Sequence, residues 1–398
     1  MSFGVRDVLD AAAYHEVEID KVLSTENPSF LQFHPVLGYT LHDYVFRDGM
    51  RKTLCQYSYH QHGGHRKMIN YADQPCRINT YGDSYTQCAQ VNDGETWQEV
   101  LAAHLCEPIR NFGVGGYGVY QAYRKAMEIE TTDDLAADHI ILNVWDDDHM
   151  RNIDAARWNR VGWMCRDLPR GKVDGYPVHG FPWAHMRYDL DKGDFVELPG
   201  MCEKGEDLRK LVGKDAYYDI FKDDHVVHLY TLREGGEAPV EHLEKIAEAF
   251  GLPVDLRNPQ TRKADARRLH YAYGMRSTQY ICEKLRAWCK ANGRNLMVLI
   301  SYDVPQVMDY IEKGTRFDQS FVEFLKDGNY TYVDFLGKSR VDFQDYKVDV
   351  ERYLERFYIE RAGAQVFGHY NPYGNFWFAH ALRDELVAWL DPKPPAYR

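Results

Sequence analysis

Several short stretches of this chain carry side chains able to do chemistry, and they point in different directions. Gly82-Asp83-Ser84-Tyr85 holds a hydroxyl in a turn, and Gly368-His369-Tyr370-Asn371-Pro372-Tyr373-Gly374 holds an imidazole far down the chain. Gly113-Val114-Gly115-Gly116-Tyr117-Gly118 fits the G-x-G-x-x-G pattern, with acids such as Asp138 about 20 residues on; that arrangement sets a dinucleotide's pyrophosphate on a helix N-terminus. His60-Gln61-His62-Gly63-Gly64-His65 offers three imidazoles that could hold zinc or another transition metal, with an acid as fourth ligand. Asp146-Asp147-Asp148-His149 concentrates acid in one loop, at least part of which is expected to line a site. Cys88, four residues after Ser84, reads as a packed thiol rather than a nucleophile.

Which of these groups meet depends on the elements that carry them. Short strands are expected at 77–81, 109–112 and 330–335, and nearly continuous apolar runs at 139–145 (HIILNVW) and 296–301 (LMVLIS) read as buried parallel strands. Helices are expected between them. One opens at Thr96-Trp97-Gln98-Glu99, which has the spacing of a capping box, and runs to Cys106; others cover about 119–129 and 277–292, and a last one follows Gly374. Strands alternating with helices predict an α/β fold, a three-layer sandwich around a central parallel sheet of the flavodoxin-like kind. Residues 1–75 are expected to form an irregular N-terminal arm packed on a core domain at 76–398. An insertion at about 150–294 interrupts that domain, with a hairpin at 186–198 around Lys192-Gly193, and is expected to cap the site. Ligands of an open α/β sheet sit beyond the carboxyl ends of its strands. On these assignments the serine turn, the glycine turn, the acidic loop and the histidine meet at one edge.

Composition narrows the classes. Lys plus Arg number 48 against 60 Asp plus Glu, a net charge of −12, and no basic patch is present, which argues against a nucleic-acid partner. No apolar run is long enough to span a membrane, and the start of the chain has no secretory pattern. Eight scattered cysteines without a C-x-x-C pair read as reduced thiols, so a cytoplasmic protein is expected. Aromatic residues make up 14%, including 29 tyrosines, which allows an aromatic-lined cleft for a sugar or another flat ligand.

In this order the blocks resemble those of the SGNH, or GDSL-like, hydrolases. Gly82-Asp83-Ser84 stands for the first block, and Asn111-Phe112-Gly113-Val114-Gly115-Gly116 for Asn-x-Gly-x-x-Gly. Val144-Trp145-Asp146-Asp147 stands where that family usually has Gly-x-Asn-Asp, and Val366-Phe367-Gly368-His369 where it has Asp-x-x-His. Pro35-Val36-Leu37-Gly38 and Tyr117-Gly118 with Gln121 are similar to one branch of it, and the resemblance covers roughly residues 30–150 and 295–390. It implies Ser84 as nucleophile and His369 as the base that takes and returns the proton. It also implies an oxyanion held by the Ser84 N–H, the Gly116 N–H and an asparagine side chain.

Two positions depart from that pattern. Asp146 stands for the oxyanion asparagine, and a carboxylate there repels a developing oxyanion unless it is protonated or turned away; Asn143 is a weaker substitute, since nearby strand positions alternate faces. Val366 stands for the triad aspartate and cannot orient an imidazole, which leaves a serine–histidine dyad or a carboxylate from Asp334, Asp342 or Asp345. Asp83, Tyr85, Tyr117 and Asp147 are the expected substrate contacts. The resulting expectation is a cofactor-free, metal-free serine esterase acting on a small-molecule or carbohydrate ester, with an O-acetyl sugar as the favoured guess. A diverged acyltransferase or a non-catalytic ester or sugar binder is the alternative. A dinucleotide-dependent oxidoreductase stands behind both, because the glycine pattern is a lone match whose next strand ends in three acids rather than one. The histidine cluster ranks lower too, being polar and loop-like.

Overall fold

Five strands line up in one sheet, every neighbouring pair parallel: β1 (Ile78–Tyr81), β2 (Arg110–Asn111), β3 (His139–Trp145), β4 (Asn295–Ser301) and β5 (Tyr332–Asp334). Their order is β5-β4-β3-β1-β2. In this computed structural model, which describes residues 3–26, 29–167, 180–359 and 368–398, β3 runs over the very residues of its apolar pattern. All seven of its residues are buried, as a strand covered on both faces requires. β3 and β4 pair along their whole length, from Asn295 opposite His139 to Ser301 opposite Trp145. The helices Trp97–Leu105, Val119–Glu130, Val304–Lys313, Gln319–Asp327, Phe335–Phe343 and Pro372–Trp389 flank the sheet, giving a three-layer α/β sandwich.

The order has a functional consequence. From β1 the chain moves outward to β2; from β3 it moves the other way, to β4 and β5. The direction reverses between β1 and β3, and ligands of doubly wound sheets bind beyond the carboxyl ends at such a reversal. Ser84 follows β1 there, and Asp146 follows β3.

The chain divides into two compact units. One comprises Leu41–Asp148 and Ile281–Arg398 and contains the sheet; the other comprises Met1–Thr40 and His149–Tyr280. Residues 3–75 hold helices Val5–Ala12 and Glu16–Leu23 and strands Leu31–His34, Gly38–Leu41, Tyr44–Phe46 and Cys55–Tyr57, where an irregular arm was expected. The second unit contains the expected hairpin, His185–Asp189 paired with Asp194–Leu198 across Gly193, and a buried ion pair, Arg160 to Asp154 at 2.8 Å. The helix expected at 277–292 starts earlier and runs 30 residues, Arg262–Ala291. Gly274 lies within it, and a Cβ there would stand 2.9 Å from the His149 backbone.

The capping box at Thr96 forms only by half. Thr96 Oγ1 accepts from the Glu99 N–H at 3.2 Å. The Glu99 carboxylate turns instead to the Ile69 and Asn70 N–H groups, at 3.1 and 2.7 Å, and so ties down the segment before β1.

Buried histidines make the sheet unit sensitive to acid. His65 and His139 are 4% and 1% exposed, and burial lowers both pKa values, that of His65 to about 4. The folded state disfavours their charged form, so below the unfolded value of about 6.5 the unfolded chain binds more protons and stability falls. For His65 this costs up to about 1.4 kcal/mol per pH unit between its unfolded and folded values. His65→Gln keeps a donor for the Arg66 carbonyl that His65 Nδ1 contacts at 2.9 Å. Melting temperatures measured from pH 7.5 to 5 should therefore fall less steeply for this variant than for wild type; parallel curves would refute the assignment.

Candidate active site

The Ser84 turn is built by steric necessity. Gly82 has φ +156, and a Cβ there would lie 2.2 Å from Thr86 Oγ1 and 2.7 Å from the Asn143 carbonyl of β3. Only glycine lets β1 turn so sharply beside β3. Asp83 then caps the short helix Ser84–Gln87, accepting from the Tyr85 N–H at 2.8 Å. Ser84 is 8% exposed, and its Oγ donates to Asp83 Oδ2 at 3.2 Å. Its own N–H stands in the first turn of that helix, where no intrahelical acceptor exists.

The glycine turn after β2 packs directly on this helix. A Cβ at Gly113 would meet the Gln87 amide nitrogen at 2.1 Å. The turn's amides are nearly all spent on protein acceptors. Gly113 N–H donates to Asn111 Oδ1 at 3.0 Å, Val114 N–H to the Gly82 carbonyl at 3.1 Å, Gly115 N–H to Gln87 Oε1 at 2.8 Å and Tyr117 N–H to the Val114 carbonyl at 3.2 Å. Gly116, buried and at φ +87, is the exception: among the described residues its N–H finds no acceptor. A buried, unspent N–H is rare in folded chains. The same accounting weighs against a pyrophosphate here, since the amides it needs are taken, and Asp138 is committed to Arg294 at 2.8 Å.

His369 lies just before the helix Pro372–Trp389, which Asn371 caps by accepting from the Gly374 N–H at 2.9 Å. The Tyr85 ring packs 5.4 Å from the imidazole, so the neighbour of Ser84 contacts the histidine. Ser84 Oγ itself is bonded to Asp83 rather than to His369. The partner on His369 Nδ1 is Gln90 Oε1, at 2.8 Å. The aspartates considered for this role are engaged elsewhere or exposed: Asp334 with Arg316 at 2.6 Å, Asp342 with the Tyr353 hydroxyl at 2.8 Å, and Asp345 in solvent. Val366, the position matching the family aspartate, lies outside the described residues.

Around the ends of β1, β3 and β4, several buried polar atoms have no hydrogen-bond partner among the described residues: Thr86 Oγ1, both Asn143 amide atoms and Ser301 Oγ. Buried groups of this kind call for an explanation, and a polar ligand supplies one. Burial, and then the adjacent Asp303 carboxylate, push the Asp146 carboxyl well above the usual carboxylate range; burial raises Asp303 as well. The shift is toward the neutral acid, which weakens the repulsion that a carboxylate would exert on an oxyanion. Asn143 shares a β3 face with Trp145, whose ring stacks 5.6 Å from Tyr85; Tyr370 meets Tyr85 edge-on at 5.1 Å.

The other sequence candidates are placed less centrally. Asp83 is fully buried and occupied by the turn, Tyr117 is fully buried, and Asp147 is half-buried. The His60 and His65 rings meet at a tilt with centroids 4.2 Å apart, while exposed His62 pairs with Asp134 at 3.0 Å. No group of three or more His, Cys, Asp or Glu among the described residues could hold a metal ion. Burial pushes the Cys88 thiol up to about 12, and its Sγ lies 3.3 Å from Gln98 Oε1, consistent with a packed group rather than a thiolate.

Three residues escaped sequence reasoning: Gln90, Asp303 and Arg66. Arg66 is 1% exposed; its guanidinium donates to the carbonyls of Gln87, Cys88 and Val91 at 2.7, 2.8 and 2.5 Å and to Asp93 at 3.0 Å. It thereby shapes the loop that carries Gln90. Asp303 had a signal, because it follows β4 as Asp146 follows β3. Arg66 and Gln90 sit in no motif.

No family model and no curated protein matches the chain. Among solved structures, a protein described as lipolytic and of the G-D-S-L family, from Desulfitobacterium hafniense DCB-2, is similar at 9% identity and a TM-score of 0.33, over 78% of this chain and 99% of that one. An alpha/beta hydrolase enzyme from the metagenome of Lake Arreo, Spain, is similar at 12% identity and a TM-score of 0.35, over 78% of this chain and 94% of that one.

Proposed function

We propose that this protein is a serine hydrolase that cleaves a carboxylic ester through an acyl-serine intermediate. The observation that carries the reading is a pair of backbone donors with no acceptor among the described residues, the Ser84 N–H and the buried Gly116 N–H, on two turns packed against each other beside a buried serine hydroxyl. Such donors match the need of an acyl-transfer transition state, whose oxygen gains negative charge; one donor is worth about 3–4 kcal/mol there.

In this mechanism His369 holds its proton on Nδ1, toward Gln90, and offers the Nε2 lone pair. The Ser84 hydroxyl leaves Asp83, gives its proton to Nε2 and attacks the acyl carbon. The carbonyl oxygen becomes an oxyanion between the two N–H groups, with Asp146 nearby. The tetrahedral intermediate collapses, and the alcohol departs with the proton from His369. Water, deprotonated by the same nitrogen, then frees the acid and restores Ser84. The favoured substrate is an O-acetylated carbohydrate. Tyr85, Trp145 and Tyr370 crowd the site and suit a small acyl group. Tyr373 and Phe376, 63% and 53% exposed just after His369, provide flat apolar faces for a sugar.

The bond from Ser84 to Asp83 favours one other reading, a diverged protein that binds an ester without turning it over. A fluorophosphonate probe separates the two. With intact mass and peptide mapping, wild type should take one adduct, on Ser84, and His369→Ala none. Folded wild-type protein that takes no adduct would sink the hydrolase reading.

A further inference from the structure

The contact on His369 goes further than the resemblance to a known hydrolase pattern. We infer that Gln90 is the residue that positions the His369 imidazole, doing with a neutral amide what a triad carboxylate does elsewhere. The inference rests on the serine-hydrolase reading of the site for its catalytic meaning.

The hydrogen bonds leave one consistent assignment. Gln90 Oε1 lies 3.0 Å from the His369 backbone nitrogen, which can only donate, so the amide atom facing the histidine is the oxygen. On its other side, Gln90 Nε2 donates to the Asp48 carbonyl at 2.8 Å, which can only accept. Both ends of the amide are therefore fixed by partners of unambiguous sign. The same Oε1 stands 2.8 Å from His369 Nδ1, so Nδ1 carries a proton, and in the neutral ring Nε2 holds the lone pair. That is the tautomer a general base needs to take a proton through Nε2. Oε1 thus grips the residue at two points, its backbone and its ring.

The backbone of Gln90 is held at some cost. Its φ is +72, a left-handed conformation that a non-glycine residue adopts only where its surroundings insist. The Tyr57 hydroxyl accepts from the Gln90 N–H, and Arg66 anchors the carbonyls on either side. Gln90 is 6% exposed, so its amide bond to the ring is shielded from water. A neutral positioner also differs from an aspartate in one measurable way. It orients the imidazole without placing a full charge beside it, so it does little to favour the imidazolium.

Two variants test this. Gln90→Gly removes the amide and relieves the backbone strain, so it should fold. Gln90→Glu keeps an acceptor at the same reach and adds an anion beside the Nδ1 proton. With 15N-histidine labelling, long-range NMR spectra of wild type should show His369 as the single Nδ1–H tautomer. That preference should be lost in Gln90→Gly, and the His369 pKa should rise by about one to three units in Gln90→Glu. The rate of fluorophosphonate capture by Ser84 should fall about 100-fold or more in Gln90→Gly, and the acid limb of its pH profile should move to higher pH in Gln90→Glu. A His369 tautomer and pKa unchanged in both variants would overturn the inference even if Ser84 reacts normally. His369 responding as expected in a wild type that takes no probe would support Gln90 as its positioner and reject the hydrolase reading instead.

Discussion

Ser84→Ala should lose ester turnover by about 10⁵-fold or more while its melting temperature stays close to wild type. The loss follows from chemistry: removing a serine nucleophile from a comparable site costs on the order of 10⁶ in kcat. What remains should be the slow reaction assisted by the backbone donors alone. The small stability change follows from the local bonds. The Ser84 hydroxyl makes one hydrogen bond, to Asp83, worth about 1 kcal/mol. Asp83 keeps its bond to the Tyr85 N–H, so the cap survives. Kinetics with 4-nitrophenyl acetate and calorimetry on the same samples decide it. A variant retaining more than about 1% of wild-type kcat would remove Ser84 from the nucleophile's role.

Arg66→Met should have the largest effect on stability, and on activity without touching substrate. Arg66 and Asp93 form a buried ion pair, 1% and 8% exposed at their side chains. Methionine fills much of the volume but leaves the Asp93 charge unpaired and the Gln87, Cys88 and Val91 carbonyls without their donors. Breaking a buried pair by removing one partner costs about 3–5 kcal/mol, or roughly 5 °C in melting temperature for a chain of this size. Gln90 lies between those carbonyls, so the loop that carries it loosens and esterase activity falls with the fold. Arg66→Lys should not rescue it, since an ammonium cannot fork to several acceptors at fixed angles. A melting temperature within about 2 °C of wild type in Arg66→Met would show that the loop is held by other means.

The parts legible in the sequence are those whose physics is local. Residues 139–145 form a strand end to end because a buried parallel strand must be apolar throughout. The hairpin at 185–198 follows from alternation around Lys192-Gly193. Gly82 marks a turn because a Cβ there would collide with Thr86 and the β3 backbone, and Gly116 because its φ of +87 favours glycine. Gln90 was not legible, since its partner lies far along the chain and no short pattern announces an amide that orients an imidazole. Arg66 was hidden in a polar, histidine-rich stretch that reads as solvated surface, although the guanidinium is buried. The Arg262–Ala291 helix was underread because its first half is polar, with mixed charges and Gly274.

The order of the strands also sets a timetable for synthesis. β3 occupies the middle of the finished sheet, with β1 on one edge and β4 on the other. β4 begins at Asn295, well after β3 ends at Trp145. At roughly 5–20 residues per second on the ribosome, the open edge of β3 waits on the order of 10–30 s for its partner. Through that interval HIILNVW is an unpaired apolar edge, the kind of segment that recruits other chains. Yield in a heterologous host should therefore depend on translation speed across residues 146–294 and on chaperones that cover nascent strands.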